Sequence, residues 1–305
     1  MKVNFISFKQ IALCLAAASL LTIGCNNDKK KPAEDVPPVD STQSTIISVN
    51  GEIFSIPSPI QTAFLLKGTG EAYNKTILNS ANKSGQYSTN FSKGLNLGIY
   101  GADLGYVTIY DQTQDALAYL NSAKKLADEL NVGNAFDANT INRFTKNIGN
   151  QDSMLVLVGV AYRNSDAYLK NNDRNDVSGL VLAGGWIESL YFATNVYKSK
   201  PNEDVKRRIA EQKSSLESLI KLLNQYYSQP EYTEFVDNLN DLKSVYDGIE
   251  FKYTYQKPAT DPSSKMTTIN STTEVKISQE QLDNALKIKE KNKRTFIFPC
   301  HHQFK

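Results

Sequence analysis

LAGGWIESLYF, residues 182–192, sets two adjacent glycines beside the chain's only tryptophan and places Glu188 among apolar and aromatic neighbours. A glycine inside a helix costs about 1 kcal/mol relative to alanine, so the pair predicts a compensating contact. Small residues let a second backbone approach closely, and the dispersion gained offsets the lost propensity. The stretch therefore predicts a buried helix, crossed by another at Gly184, Gly185 and Trp186. A second stretch, LNLGIYGADLGYVTIY at 95–110, follows the same plan: an apolar entry, the small pair Gly101 and Ala102, the acidic Asp103, and a tyrosine-bearing exit. In both cases a polar break and an amphipathic helix follow. Gly101 and Gly184 are thus expected to mark the crossing of two central helices in two related halves. A spacing of roughly 85 residues is longer than the repeats of ordinary helical solenoids.

Outward from these stretches, apolar residues recur at three- and four-residue spacing. Ala116, Leu117, Leu120, Ala123, Ala127 and Leu130 form one stripe, and Leu216, Leu219, Ile220, Leu223 and Tyr227 another. Helices are predicted near 59–80, 89–110, 112–131, 137–147, 151–171, 176–198, 202–228, 231–249 and 278–292, with Ser58 and Pro59 opening the first. The breaks NVGN, KSKPNED and SQPEY are short, which favours antiparallel helical hairpins. The fold class is all-α, a bundle or α/α array, forming a single domain over 46–292. Ile47 and Val49, the Asn50-Gly51 turn signal, and Ile53, Phe54 and Ile56 predict a small extended hairpin before it. Residues 254–277, rich in Thr and Ser with two prolines, predict an irregular excursion with an edge strand at 266–269.

The first 24 residues have the pattern of a targeting segment. Lys2 and Lys9 precede an apolar run at 11–21, shorter than the ~20 residues a spanning helix needs. LTIGC at 21–25 resembles the lipobox of bacterial lipoproteins, although Thr22 stands where leucine is usual, with Leu21 one place early. The resemblance implies acylation of Cys25, and two or three acyl chains give stable membrane anchoring. Residues 25–45 are polar and proline-bearing and predict a flexible linker. Within it, Asp40, Ser41 and Thr42 resemble an O-glycosylation acceptor used in Bacteroidota, with Ser41 as the acceptor. Of the three cysteines, Cys14 leaves with the signal and Cys25 carries lipid, so Cys300 alone cannot build a disulfide framework.

The 34 Lys and Arg residues, less the two in the signal, balance 32 Asp and Glu. A near-neutral body carries no electrostatic footprint for nucleic acid. No nucleotide-binding loop or zinc-protease helix is present, and no cofactor is expected. His301 and His302 are the only histidines and follow Cys300. Adjacent ligands suit a tetrahedral ion poorly, so no metal is expected. The helical pattern of 278–292 is lost over 293–305, which is expected to be an atypical, disordered tail. Without histidine in the body, Ser-His-Asp and Cys-His catalysis are excluded. NNDRNDVSG alternates Asn171, Asp173 and Asn175 as calcium loops do, but Asp176 occupies the position needing glycine and Leu182 that needing glutamate. Asp176 is better placed as a helix cap.

SIPSP, YNKTILN, LNLGIYGADLGYVTIY, DSMLVLVGVAY, DAYLKNNDRNDVSGLVLAGGWIESLYFATN and KISQEQLDN together resemble a group of uncharacterised all-helical lipoproteins of Bacteroidota, over most of 53–285. The resemblance implies a cell-envelope compartment and a helical fold; it implies no activity. Three functions stay open. The first is a lipid-anchored envelope protein, favouring the outer membrane and facing periplasm or medium, whose helical body binds an envelope protein or glycan or acts as a scaffold. The second is a glycan hydrolase using Asp103 and Glu188, whose aromatic settings would raise a carboxyl pKa; such a pair needs a separation of ~5 to 9.5 Å. The competing role for both carboxyls is structural, held in the core by tyrosine hydroxyls or backbone amides. The third is a carrier of a small hydrophobic ligand in a closed cavity between the two glycine-bearing helices.

Overall fold

Thr89 starts the central helix by a reciprocal cap: its hydroxyl accepts from the Ser92 amide at 3.1 Å, and the Ser92 hydroxyl accepts from the Thr89 amide at 3.2 Å. The helix runs from Asn90 to Ile109 and stops where Asp111 turns left-handed (φ 59°). There the Gln112 amide reaches back to the Val107 carbonyl at 2.8 Å. Asn131, also at φ 59°, ends the next helix in the same way through Val132 and Ala127. Asp and Asn serve at these caps because their short polar side chains tolerate the left-handed region.

The computed structural model describes residues 45–49, 52–56, 59–133, 138–147, 150–172, 174–261, 263 and 265–292. In chain order these form β1 (Thr45–Val49), β2 (Glu52–Ile56), α1 (Pro59–Gly68), α2 (Asn90–Ile109), α3 (Thr113–Glu129), α4 (Ala138–Lys146), α5 (Gln151–Asn171) and α6 (Asn175–Ser199). Then follow α7 (Glu203–Ala210), α8 (Gln212–Leu223), α9 (Pro230–Asp247), β3 (Glu250–Thr254), β4 (Ala259–Asp261), β5 (Met266–Thr268), β6 (Thr272–Lys276) and α10 (Gln279–Asn292). The fold is all-α with small antiparallel strand pairs. The signal segment, Cys25, Ser41, Asn50, Gly51, Ser58, Asp173 and the 293–305 tail lie outside the described residues. Among the described residues, no helix is long and apolar enough to cross a membrane.

The core is organised around α2 and α6, the most extensively packed helix pair. Both are buried along nearly their whole length, as their all-round apolar composition dictates. A Cβ at Gly94 would meet Leu180 and Val177; one at Gly98 would meet Val181 and Gly185; and Tyr106 stacks on Phe192 with ring centroids 4.8 Å apart. Residue numbers rise together along the contact, so the two helices are parallel. The central pair is joined by no short loop, so the hairpin expectation does not bear on it. The expected hairpin packing is seen in the short-loop neighbours α2 and α3, which run antiparallel, tied by Lys93 to Glu129 at 3.1 Å near one end and by the Tyr100–Tyr119 ring contact further along. Helices α1 and α5 each pack on both α2 and α6, while α7 and α8 cover α6 and α9 covers α8.

Three expectations are corrected. The helix expected over 59–80 ends at Gly68, because the Gly68-Thr69-Gly70 turn, with Gly70 at φ 75°, sends the chain into the short 3-10 turns Lys75–Ile77 and Ala81–Lys83. The helix expected over 202–228 is interrupted at Glu211 and ends in a 3-10 turn. Gln212, just past the interruption, is buried, and its side-chain oxygen accepts from Trp186 Nε1 at 2.9 Å. The irregular excursion of 254–277 is a ribbon instead: β3 pairs with β6, and β4 with β5. The edge strand expected at 266–269 is β5, hydrogen-bonded to β4.

Candidate functional site

The crossing of α2 and α6 falls at Gly98, not at Gly101. A Cβ on Gly98 would stand 1.9 Å from the Val181 carbonyl oxygen and 2.9 Å from the Gly185 nitrogen. A Cβ on Gly184 would stand 1.9 Å from the Leu95 carbonyl oxygen and 3.2 Å from the Ile99 nitrogen. Each glycine thus meets the carbonyl three residues before the other and the amide one residue after it, a local two-fold relation. Gly101 sits one turn further on and is half-buried. Trp186 is buried beside the crossing, its indole bound to Gln212.

The same relation corrects the alignment of the two stretches. Gly98 matches Gly184, 86 positions on, and that offset also matches Gly94 with Leu180 and Tyr106 with Phe192, both of which touch. Asp103 then corresponds to Ser189, and Glu188 to Ala102. The two carboxyls are therefore not counterparts, although both lie just past the crossing, one on each helix.

Asp103 and Glu188 are each 0 % exposed. They share a tyrosine-rich neighbourhood. Burial first, then the Asp103 carboxyl, push the Tyr119 hydroxyl well above the ordinary phenol value, and Glu188 adds to the same effect. Burial also raises Tyr87, where both carboxyls act in the same direction while bonds to Tyr100 and Asn79 oppose them. Two of these phenols donate to backbone carbonyls. Tyr100 donates to the Ser80 carbonyl at 2.9 Å and Tyr119 to the Asn79 carbonyl at 2.8 Å. Asn79 joins the network by donating to Tyr87 at 3.0 Å and to Asn96 at 3.2 Å. With zero exposure, neither carboxyl opens onto the described surface. Nor do the two central helices leave a chamber for a hydrophobic cargo at their crossing, because backbone meets backbone there. Arg174 holds the N-cap position of α6, and Asp176 lies in its first turn.

A cavity of about 390 Å³ opens elsewhere, at the C-terminal ends of α2 and α6. Tyr106, fully buried, provides its aromatic wall, with Ile77 and Val196 beside it; Glu71, Asn74, Asn195, Lys198 and Ser199 add polar groups. The chain from 69 to 77 is held against the helix ends by three bonds. The Asn74 amide donates to the Tyr106 hydroxyl at 3.2 Å, Ser199 Oγ donates to Glu71 at 3.1 Å, and Lys200 Nζ donates to the Thr69 carbonyl at 2.8 Å. The sequence reading missed this site because it ran a helix through 69–80; the glycines at 68 and 70 were the available signal.

The second surface feature is the ribbon of β3 to β6. Phe251 faces Val275 and Tyr253 faces Thr273 across it, and Tyr255 continues the alternation. Lys252 faces Glu274, and Glu250 pairs with Lys276 at 3.7 Å, on the opposite face. Tyr253, Tyr255, Met266 and Ile269 are 61, 68, 64 and 74 % exposed. Among the described residues, no three His, Cys, Asp or Glu side chains gather as a metal site would require. Comparison with known protein families, with characterised proteins and with solved structures returns no match.

Proposed function

We propose that this chain is a non-catalytic cell-envelope lipoprotein, held to the membrane through acylated Cys25, favouring the outer membrane, and binding a partner protein through its ribbon. The observation that carries the reading is the concentration of exposed apolar area on β3–β6. Phe251, Tyr253, Tyr255, Met266 and Ile269 make up most of the large apolar side chains exposed on the described surface. Such clustering marks interaction sites, and aromatic and Met side chains are the types enriched at protein interfaces. Met266 and Ile269 favour protein over glycan, since their aliphatic area offers nothing to sugar hydroxyls. Across β3 and β6 the charged pairs sit on the face opposite Phe251 and Tyr253, while across β4 and β5 Asp261 is the partner of Met266. The LTIGC motif and the polar linker at 25–45 support the tether, and the burial of Asp103 and Glu188 supports a non-catalytic body.

A photo-crosslinking residue placed at Tyr255 or Met266 in the full chain, in intact cells, tests this. A discrete adduct at both positions, absent from the exposed helical position Glu217 and lost on Tyr253→Ser, is the expected result. Equal labelling at all three positions, or none on the ribbon, overturns it. Loss of fatty-acid label and of membrane association in Cys25→Ala checks the tether separately.

A further inference from the structure

We infer that the cavity at the C-terminal ends of α2 and α6 is a binding site for a small zwitterion, an amino acid or short peptide, with the ligand ammonium on Glu71 and its carboxylate on Lys198. This inference is independent of the ribbon. The volume of about 390 Å³ is within the range of small-molecule sites. Its lining comes from three separate parts of the chain, the 69–77 segment, α2 and α6, so the fold fixes the positions of the polar groups.

Glu71, Asn74 and Asn195 are held by internal bonds and keep capacity for another. Glu71 accepts from Ser199 through one oxygen, which leaves its second oxygen. Asn74 Oδ1 accepts from the Thr76 amide and hydroxyl at 3.0 and 2.7 Å, which leaves the two N–H donors of its Nδ2. Asn195 Nδ2 donates to the Tyr191 carbonyl at 2.8 Å, which leaves its Oδ1 as acceptor. Lys198 and Glu71 both line this cavity, and among the described ion pairs none joins them. A simple anion would therefore meet Glu71, and a simple cation would meet Lys198. A molecule carrying both charges satisfies both, with charge-assisted bonds at each end. The α6 C-terminus adds negative potential that favours an ammonium. Tyr106, Ile77 and Val196 then offer an apolar wall to an aliphatic side chain.

Thermal shift and calorimetric titration of the acylated or soluble mature chain with L-leucine and with leucyl-alanine test the site. Both are expected to bind and to raise Tm. N-acetylation or C-amidation of the probe should each weaken binding at least ~tenfold, as loss of one charge-assisted contact implies. Glu71→Gln and Lys198→Met should weaken the unmodified probes similarly, while Glu217→Gln leaves them unchanged. If a charge variant loses thermal stability, the blocked probes on the native chain carry the test. No binding by either probe, equal binding of the blocked forms, or equal stabilisation by glucose overturns the proposal.

Discussion

Gly98 and Gly184 are reciprocal: each lies where the other's helix presents a backbone carbonyl, and a Cβ on either would stand 1.9 Å from it. No rotamer change relieves such a clash, because the obstructing atom is main chain. Gly98→Ala and Gly184→Ala are each expected to destabilise the fold by about 3 kcal/mol or more, beyond ordinary overpacking. Gly105→Ala, whose Cβ would meet only the Ile60 side chain at 3.3 Å, and Gly68→Ala, with nothing within 4 Å, are the matched comparisons. Urea unfolding of the four variants checks the ranking; a mild Gly98→Ala would contradict the crossing.

Trp186 Nε1 is buried and donates to Gln212 at 2.9 Å. Gln212→Leu keeps the bulk and removes the acceptor, so a buried indole N–H loses its partner. A loss of about 1–3 kcal/mol is expected. Red-edge or lifetime changes in the fluorescence of this single tryptophan should report the altered setting at once.

Asp115 accepts from Tyr73 at 2.6 Å and pairs with Lys75. Burial alone would raise its carboxyl, but the Lys75 and Tyr73 bonds outweigh burial and hold it below the ordinary carboxylate value. A lowered folded-state value means that the unfolded chain takes up the proton first. The stabilisation is therefore present above the ordinary value near ~3.9 and disappears as pH falls through the lower folded one. Asp115→Asn should be less stable than the native chain at pH 7, and the gap should close in strong acid. Urea midpoints across that range measure it; a constant gap would refute the linkage.

Tyr246 and Tyr255 form an opposed pair. The first is fully buried and donates to the Ile209 carbonyl at 3.0 Å; the second is 68 % exposed on the ribbon. Tyr246→Phe is expected to cost about 1 kcal/mol, whereas Tyr255→Ser should stay within roughly 0.5 kcal/mol. Tm measurements on both discriminate a ribbon kept for contact from one needed for folding.

Helix periodicity made the long elements legible. The expected 89–110, 151–171 and 176–198 lie within about a residue of α2, α5 and α6. The glycine pair at 184–185 did announce a close crossing, and Gly184 takes part in it. The partner on α2 was misplaced because Gly94, Gly98, Gly101 and Gly105 are all small, and only the register of the opposing helix selects Gly98. Asp103 and Glu188 were legible as aromatic-flanked carboxyls, but sequence carries no measure of access, and access decides whether a carboxyl does chemistry. The cavity escaped because its lining combines residues such as Glu71 and Lys198, more than a hundred positions apart, with no shared motif. The ribbon was hidden because only β3 carries an apolar alternation, at Phe251 and Tyr253, and its partners are short Thr-bearing strands split by Pro- and Ser-containing turns.

The parallel arrangement of α2 and α6 has a cost in time. The two are separated by 65 intervening residues (110–174) that include α3, α4 and α5, so the groove at Gly98 stays open until the ribosome has released the Gly184 turn. Partners this remote in sequence come together late. During that interval the newborn N-terminal half presents an uncovered apolar notch, and any holding chaperone would find its target on the α2 face.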